Sequence, residues 1–324
     1  MASIKIIKPG LLTTVQDRGR LGYQQFGVPL CGAMDSFSHR VSNILVGNEV
    51  FDAVLETTLL GPKIEILDDS VIAITGGDLS PTINKSSVPM WKSIYVSKGD
   101  VLAFGAVKSG CRSYISFAGG IDVPLVMGSK STYLKGNIGG YKGRKLESGD
   151  ILKILNPKEK LKNLKNRMII ERYKPYYTDS IELRVILGPQ KDRFTNEGME
   201  TFLSNEYTVT SENDRMGYRL DGKKVQTIDG SDIISDGIAF GAIQITSSGF
   251  PIIMMTDRQT VGGYAKIACV ISSDLPKIAQ AKSRDKVRFK EVSIEEAQDI
   301  IVKEIFINLI LFMFNYIDLI TIIY

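Results

Sequence analysis

The sequence predicts a mainly β protein with a few helices, folded as barrels or sandwiches in two domains. Short apolar runs separated by turn signals recur along the chain, and few stretches have helical periodicity. The second half repeats this pattern after a charged interruption. A chain of 324 residues is also long enough to bury two cores.

The first half contains one clear helix and a series of strands. The helix is predicted over 36–46, where apolar residues recur at helical spacing and Gly47 ends the pattern. Turn signals such as Gly61-Pro62 separate the other apolar runs, which are therefore predicted to be strands. These strands cover 4–7, 53–59, 63–67, 71–75, 93–96, 101–106 and 112–117.

A run rich in lysine and arginine divides the chain. We interpret residues 157–179 as a solvated basic linker, with domains at 1–156 and 180–300. In the second domain a short helix is expected near 194–203, and Ser293 and Glu296 fit a capping box that opens a final helix. The strands expected there cover 181–187, 207–210, 243–245, 252–256 and 266–271.

Residues 301–324 form an apolar C-terminal tail. From 305 to 324 Asp318 is the only charged residue, and Asn308 and Asn315 are further polar interruptions. The length suits a membrane span, but a charge and two amides inside it are costly in lipid, so membrane anchoring is not favoured. A divergent C-terminus and a helix packed on the body of the protein or on a partner are the alternatives.

Composition narrows the function classes. The formal charge of +4 comes from scattered lysines nearly balanced by acids, without a basic stripe interleaved with aromatics, which argues against nucleic-acid binding. Cys31, Cys111 and Cys269 are far apart, odd in number and without C-x-x-C spacing, which is typical of reduced cysteines. The first residues lack a secretory apolar segment, so a cytoplasmic protein is expected.

The stretch from Gln16 to Asp35, QDRGRLGYQQFGVPLCGAMD, is the most informative segment of the chain. Its glycines and polar residues suit neither a buried strand nor an amphipathic helix. We predict a folded-back loop that holds Asp17, Arg18 and Arg20 at a polar surface. A solvated turn with surface ion pairs is the alternative.

Glycine-flanked Asp-Arg pairs recur downstream. Asp214-Arg215 precedes Met216-Gly217-Tyr218, and Asp257-Arg258 precedes Gln259-Thr260 and Gly262-Gly263. The recurrence suggests two related halves that each present an Asp-Arg loop.

Common catalytic and nucleotide-binding motifs are absent. Gly128-Ser129-Lys130-Ser131-Thr132 has the residue types of a phosphate-binding loop but lacks its glycine spacing, and no G-x-S-x-G is present. The lone His39 cannot form a triad or a metal site by itself, and a surface or capping position is expected. Any ATP site is therefore unorthodox or supplied by a partner.

A set of motifs in order along residues 4–289 resembles the biotin-dependent carboxyltransferase family. This group includes the allophanate hydrolase subunit 2 domain, the C subunit of bacterial 5-oxoprolinase and the antagonist of a sporulation-kinase inhibitor. The motifs are QDRGRLGYQQFGVPLCGAMD (16–35), ILVGN (44–48), LETTLLGP (55–62), AGGIDVPLVMGSKST (118–132), GGYKGRKLESGD (139–150), GPQKDRF (188–194), NDRMGYRLDG (213–222), GAIQI (241–245) and MTDRQTVGGYAKIACV (255–270).

The resemblance implies two cyclophilin-like β-barrel domains and a heteromeric complex with the B and A subunits of 5-oxoprolinase. The implied reaction is the ATP-dependent opening of a small-molecule substrate, 5-oxoproline, to glutamate. Family members fused to biotin enzymes instead transfer a carboxyl group from carboxybiotin to urea. Because nothing in this chain resembles a biotin carboxylase or a biotin carrier, the 5-oxoprolinase role is favoured.

The Asp-Arg loops supply the candidate site residues under this interpretation. ATP, with Mg²⁺, would phosphorylate the lactam oxygen before water attacks, and guanidinium groups suit both carboxylate and phosphoryl oxygens. Carboxylates would orient those arginines, position water or hold Mg²⁺, although no cluster of metal ligands is predicted. For each of these residues, a purely structural role at the mouth of a barrel is the alternative. The catalytic candidates are Asp17, Arg18, Arg20, Asp214, Arg215, Asp257 and Arg258, and the substrate-binding candidates are Gln16, Asp35, Gln259 and Thr260.

One departure from the family pattern concerns a turn. Family members commonly have Pro-Gly before an Asp-x-Val-Arg-Phe run, where this chain has Ser283-Arg284. The loss of a turn glycine weakens the prediction of a hairpin here but not that of the site.

Three functions remain open. The favoured one is a subunit of 5-oxoprolinase, and the second is a carboxyltransferase that acts on urea or a related amide with biotin on a partner. The third is a non-enzymatic antagonist that sequesters an inhibitor of a histidine kinase. The same Asp-Arg loops suit an active site or a docking surface.

Overall fold

Strands dominate the computed structural model, which describes the backbone of residues 2–314 and the side chains of residues 2–304. Strands account for 36% of the chain and helices for 17%, which confirms the predicted mainly β class. The contacts divide the chain into two units. Residues 2–20 and 31–177 form the first, and residues 21–30 and 178–305 form the second.

The first unit contains two sheets and two helices among the described residues. Its seven-stranded sheet has the order β11-β12-β1-β4-β9-β6-β7, and its five-stranded sheet has the order β2-β3-β10-β5-β8. The strands are β1 (Ala2–Lys8), β2 (Leu12–Gln16), β3 (Val54–Thr58), β4 (Lys63–Ile66), β5 (Ser70–Asp78), β6 (Thr82–Ile83), β7 (Ser86–Ser87), β8 (Ser93–Val96), β9 (Val101–Ala103), β10 (Ser109–Phe117), β11 (Ile121–Asp122) and β12 (Ile151–Ile154), and the helices are α1 (Ser36–Leu45) and α2 (Leu161–Leu164).

The central strand β5 explains why this part of the sequence is continuously apolar. Ile72 and Ile74 on one face join the core that both sheets share. Val71 and Ala73 on the other face join a second core formed with α1. A strand covered on both faces has no solvent side and therefore shows no apolar–polar alternation.

The second unit forms a closed barrel of seven strands in the order β13-β20-β17-β18-β15-β14-β21, with β16 and β19 as a separate two-stranded sheet. The parallel pairing of β13 with β21 closes it. The strands are β13 (Ser180–Leu187), β14 (Tyr207–Val209), β15 (Gly217–Asp221), β16 (Asp232–Gly237), β17 (Ala242–Ile245), β18 (Pro251–Met254), β19 (Val261–Tyr264), β20 (Lys266–Val270) and β21 (Lys286–Glu291), and the helices are α3 (Asn196–Ser204), α4 (Leu275–Ala279) and α5 (Ile294–Phe314).

Helix α3 attaches to this barrel through aromatic side chains. Phe202 stacks on Phe289 of β21 with ring centroids 4.4 Å apart, and Tyr207 of β14 packs against Phe289 at 5.8 Å. Such ring pairs contribute about 0.5–1.5 kcal/mol beyond the area they bury.

Several strands that the sequence did not predict have polar or glycine-rich sequences. Strand β2 reads Leu-Thr-Thr-Val-Gln, and its threonines are buried, with Thr13 Oγ1 donating to Thr57 Oγ1 of β3 at 3.1 Å. Strands β16 and β19 contain glycine and exposed residues. Apolar periodicity cannot detect strands whose side chains are not apolar.

The segment predicted as a basic linker also contributes to a core. It contains the short helix α2, and Leu164 and Ile169 are buried in the cluster that includes Trp91. His39, expected near the surface, is buried instead, with Nε2 at 2.8 Å from the carbonyl oxygen of Asp52.

Helix α5 begins with the predicted capping box. Ser293 Oγ accepts from the N–H of Glu296 at 3.1 Å, and Glu296 Oε2 accepts from the N–H of Ser293 at 2.9 Å. The side chains from 305 onward and all of residues 315–324 lie outside the described residues, so the apolar tail over 301–324 remains a prediction there. Among the helices in the described part of the chain, none is long and apolar enough to cross a membrane.

The turn before β21 persists without the glycine that the family pattern led us to expect. Arg284 adopts a left-handed conformation with φ of 79°, and its N–H donates to the carbonyl oxygen of Val209 at 2.8 Å. The backbone therefore takes a glycine-like conformation with an arginine in place.

We predict that Arg284→Gly raises the free energy of unfolding by about 1 kcal/mol, because an L-residue in the left-handed region is strained and glycine is not. Urea denaturation monitored by circular dichroism measures the change. Ser283→Gly is the matched control, and it should lower stability by about 0.5–1 kcal/mol, because it adds unfolded-state freedom without relieving strain. A loss of stability in Arg284→Gly would contradict the prediction.

Candidate functional site

The predicted site residues fall into two clusters, one in each unit. The first unit holds Gln16, Asp17, Arg18, Arg20 and Asp35. The second unit holds Asp214, Arg215, Asp257, Arg258, Gln259 and Thr260. We describe each cluster by itself.

The loop after β2 folds back as predicted. Gly32 has φ of 89°, and a Cβ at this position would lie 2.9 Å from both the carbonyl carbon of Arg18 and the nitrogen of Gly19. The N–H of Ala33 donates to the carbonyl oxygen of Asp17 at 2.9 Å. Glycine at position 32 therefore permits a close backbone approach that brings both ends of the loop together.

Asp17 ties this loop to the segment at 129–131. Its carboxylate accepts from the N–H of Gly19 at 2.8 Å, from Ser129 Oγ at 2.6 Å, from the N–H of Lys130 at 2.6 Å and from Ser131 Oγ at 2.5 Å. Ser131 Oγ also accepts from the N–H of Asp17 at 2.9 Å. The carboxylate is thus fully engaged in structural hydrogen bonds, which favours a scaffold role over that of a general base.

The surroundings of Asp17 keep it ionised. Burial raises the pKa of its carboxyl group, but the hydrogen bonds from Ser129, Ser131, Lys130 and Gly19 outweigh burial and bring that pKa below the ordinary value. Hydrogen bonds of this kind favour the charged form because each donor points at an acceptor-only carboxylate.

Asp35 caps helix α1. Its Oδ1 accepts from the N–H of Ser38 at 2.9 Å and its Oδ2 from Ser38 Oγ at 2.6 Å. The N–H of Asp35 donates to Tyr114 Oη, which donates to Glu56 Oε2, both at 2.8 Å. Asp35 is almost wholly buried and joins a polar network beneath the loop, so its clearest role here is to fix the start of α1.

Arg20 and Gln16 are fully buried beside the same segment. One N–H of Arg20 Nη2 donates to the carbonyl oxygen of Ser131. Gln16 Nε2 donates to the carbonyl oxygen of Thr132 at 3.2 Å and to Thr14 Oγ1 at 3.0 Å. Arg18, by contrast, is exposed and lies over the ring of Phe51 at 5.7 Å.

In the second unit, two of the predicted Asp-Arg loops pair with each other. Arg215 Nε donates to Asp257 Oδ2 at 3.0 Å, and Nη2 donates to Asp257 Oδ1 at 2.9 Å. Both side chains are buried, and Arg215 Nη2 also donates to Thr256 Oγ1 at 3.2 Å. This two-point ion pair links the segment before β15 to the segment after β18.

The remaining predicted residues of this unit differ in exposure. Arg258 is buried, with Nε donating to the carbonyl oxygen of Ile238 at 2.9 Å, and it lies over the ring of Phe240 at 5.5 Å. Asp214 is exposed and accepts from the N–H of Met216 at 2.7 Å. Gln259 is exposed and Thr260 is half-buried, with its carbonyl oxygen accepting from the N–H of Ile238.

The sequence did not identify every residue that organises these clusters. Ser129 and Ser131 were part of a failed phosphate-loop match and of one family motif but were not named as site residues, although they bind Asp17. Glu56 lies in a family motif and Tyr114 in a predicted strand, but neither was identified as a site residue, because their roles depend on contacts between distant strands. Within residues 2–304, no group of three or more His, Cys, Asp or Glu side chains is arranged to hold a metal ion.

We predict that Asp17 makes the fold sensitive to acid. Because its folded-state pKa lies below the ordinary 3.8, its stabilising effect is full above that pH and is lost as the pH falls through the folded-state pKa. Asp17→Asn should therefore lower stability at neutral pH and reduce the further loss below about pH 4. Urea midpoints measured at neutral pH and in steps below that value provide the test.

Asp122→Asn, a change of an exposed aspartate in the same unit, is the control and should keep the wild-type acid dependence. Equal acid sensitivity of Asp17→Asn and the wild-type protein would refute the role given to Asp17.

We predict that Arg215→Met lowers the free energy of unfolding by about 3–5 kcal/mol, because it leaves the Asp257 carboxylate buried without its cation. The double variant Arg215→Met/Asp257→Met should lose less than Arg215→Met alone. Urea denaturation of Arg215→Met, Asp257→Met and the double variant completes the cycle. The surface variant Arg219→Met is the control. Additive losses would show that the pair is not coupled.

Known proteins resemble this chain over most of its length. The C subunit of 5-oxoprolinase from Escherichia coli (strain K12) is 36% identical over 294 residues, or 91% of this chain and 93% of that protein. Urea amidolyase of Saccharomyces cerevisiae is 36% identical over 324 residues, or 94% of this chain and 18% of that protein. The crystal structure of K. lactis urea amidolyase matches with a TM-score of 0.89 at 33% identity, over 94% of this chain and 20% of that chain.

This chain therefore spans about a fifth of the length of the urea amidolyases that it matches and nearly the full length of the 5-oxoprolinase relative. A sequence profile described as carboxyltransferase domain, subdomain A and B, matches residues 26–291, which include most of both units. The chain thus belongs to the carboxyltransferase domain family.

Proposed function

We propose that this chain is the C subunit of an ATP-dependent 5-oxoprolinase, a complex that opens 5-oxoproline to glutamate. The observation that carries the proposal is the match to a protein named as the C subunit of 5-oxoprolinase, at 36% identity over 93% of that protein's length. By that name the relative is one subunit of an enzyme, so the partner A and B subunits are part of the proposal.

Each cluster combines buried anchors with polar groups that suit a ligand. In the first unit, Asp17 holds the loop after β2 in place, and Arg18 is exposed on that loop. In the second unit, the Arg215–Asp257 pair holds two segments in place, and Asp214 and Gln259 are exposed beside it. A guanidinium or an amide on a rigid loop suits the polar atoms of a lactam acid.

The segment that most resembles a phosphate-binding loop does not fit a nucleoside triphosphate by itself. In this segment Ser129, Ser131 and the N–H of Lys130 donate to Asp17, and Lys130 Nζ donates to the carbonyl oxygen of Ile121 at 2.8 Å. Donors already committed to protein acceptors are not available to phosphate oxygens. We therefore assign the binding of ATP and Mg²⁺ chiefly to a partner subunit.

A second candidate is carboxyl transfer to urea or a related amide. The TM-score of 0.89 to a urea amidolyase supports this alternative. It requires biotin on a partner. The two functions differ in the co-substrate that turnover consumes, which is ATP for 5-oxoproline opening and carboxybiotin for carboxyl transfer.

The test is reconstitution. We expect that co-expression of this chain with candidate A and B subunits gives a complex that releases glutamate and ADP from 5-oxoproline and ATP, and that omission of this chain abolishes the release. Arg18→Ala should lower kcat/KM about tenfold or more, since it removes the exposed guanidinium of the first cluster. Its melting temperature should stay close to that of the wild-type complex, because the side chain is exposed.

Lys108→Ala, a change of an exposed residue whose side chain is 63% accessible, is the control and should retain full activity. Labelled bicarbonate and a biotinylated carboxylase partner test the alternative in parallel. Turnover only in that second assay would replace the proposal with the carboxyltransferase function, and a stable complex inactive in both assays would favour a binding protein.

A further inference from the structure

Arg20 is a buried cation with unfilled hydrogen-bonding capacity. Its side chain has no exposed surface, and within the described residues Nε and Nη1 have no hydrogen-bond partner. Its Nη2 donates to the carbonyl oxygen of Ser131, which is uncharged. A buried charge of this kind normally has an ionic partner, because desolvation without one is costly.

The buried Arg215 differs in this respect, because it is paired with Asp257. The half-buried Arg184 is likewise paired with Asp274, with Nη2 and Oδ1 2.6 Å apart. The carboxylate linked most directly to Arg20 is that of Asp17, on the other side of Ser131. It makes no hydrogen bond to Nε or Nη1 of Arg20.

Gln16 provides the complementary unfilled group. It is also fully buried, and its Oε1 has no hydrogen-bond partner among the described residues. Gln16 and Arg20 are anchored on the carbonyl oxygens of Thr132 and Ser131, which are successive residues. Gln16 and Arg20 are therefore attached to neighbouring backbone groups of one segment.

The cover over Arg20 is a glycine. A Cβ at Gly139 would lie 2.1 Å from Arg20 Nη2 and 2.2 Å from the carbonyl oxygen of Ser131, so the backbone of the glycine-rich segment 136–143 lies directly over the guanidinium. The N–H of Gly140 holds this segment to the carbonyl oxygen of Lys130 at 3.0 Å. Because Arg20 has no exposed surface, a ligand can reach it only after a covering segment moves, and the segment 136–143 is the one that lies against Nη2.

We propose that Arg20 and Gln16 form the recognition site for a small carboxylic acid that carries an amide N–H next to the carboxylate. Arg20 donates to the carboxylate through its free N–H groups, and Gln16 Oε1 accepts from the amide N–H. 5-Oxoproline has this arrangement, and the choice of it as the ligand rests on the proposed function. The two residues thus select lactam acids over amides such as urea that lack a carboxylate.

Three probes separate the two contacts. 5-Oxoproline carries both the carboxylate and the N–H, 2-pyrrolidinone lacks the carboxylate, and 5-oxotetrahydrofuran-2-carboxylate replaces the N–H by oxygen. Isothermal titration of the full chain, alone and in complex with the partner subunits, gives the affinity for each probe. Variants Arg20→Met and Gln16→Met remove one contact each with little change in volume.

We expect a crossed pattern. Arg20→Met should weaken both carboxylic acids about tenfold or more and leave 2-pyrrolidinone unchanged, because it removes a charge-assisted contact. Gln16→Met should weaken both lactams and leave the lactone acid unchanged. Arg219→Met, which changes an exposed arginine with a side chain 54% accessible, should bind all three probes like the wild-type chain.

Stability gives a second readout. Arg20→Met should melt at or above the wild-type temperature in the absence of ligand, because it removes an uncompensated buried cation. Added 5-oxoproline should stabilise the wild-type chain but not this variant.

If Arg20→Met does not fold, Arg20 is required by the fold and the stability argument is overturned. Arg20→Lys, which keeps the charge but not the guanidinium, then tests recognition through the same three affinities.

The inference would be overturned if Arg20→Met and Gln16→Met each lowered the affinity for all three probes equally. It would also be overturned if 5-oxoproline bound neither the chain nor the complex. Failure of the proposed function has a different signature. The reconstituted complex would then release no glutamate. The binding pattern is tested separately, by the affinities of the three probes for the wild-type chain and its variants.

Discussion

The first unit depends on the carboxylate of Asp17. Four donors from Gly19, Ser129, Lys130 and Ser131 converge on it, so one side chain joins the loop after β2 to a segment more than a hundred positions later in the chain. Arg20 and Gln16 are attached to the same segment through the carbonyl oxygens of Ser131 and Thr132. The position of the candidate recognition groups is therefore set by the hydrogen bonds of Asp17.

The two units hold their Asp-Arg loops by different means. In the first unit the aspartate binds neutral hydroxyl and backbone donors, and Nε and Nη1 of Arg20 have no hydrogen-bond partner in the described part of the chain. In the second unit Arg215 takes Asp257 as a two-point partner, so the charges of two loops compensate each other. Similar sequence motifs thus produce one cluster with unfilled hydrogen-bonding groups and one in which Arg215 and Asp257 form an ion pair.

Local patterns were sufficient to predict most apolar strands, helix α1 and the capping box of α5. The folded-back loop after β2 was also predictable, since its glycines can adopt positive φ values. Strand β2 was missed because its buried threonines have no apolar alternation. Burial and pairing of the site residues were not predictable, because the sequence around Arg215 and Arg20 is similar although their long-range partners differ. The assignment of catalytic and substrate-binding roles likewise remains a set of predictions.

The closure of the second barrel has a consequence for folding during synthesis. Strand β13 pairs in parallel with β21, about a hundred residues later, and the pairing extends from Ser180 opposite Lys286 to Val185 opposite Glu291. A nascent chain can assemble the two sheets of the first unit while β13 still lacks this neighbour. Because long-range parallel pairing is slow to form, the open edge of β13 stays available to chaperones or to other chains until β21 leaves the ribosome.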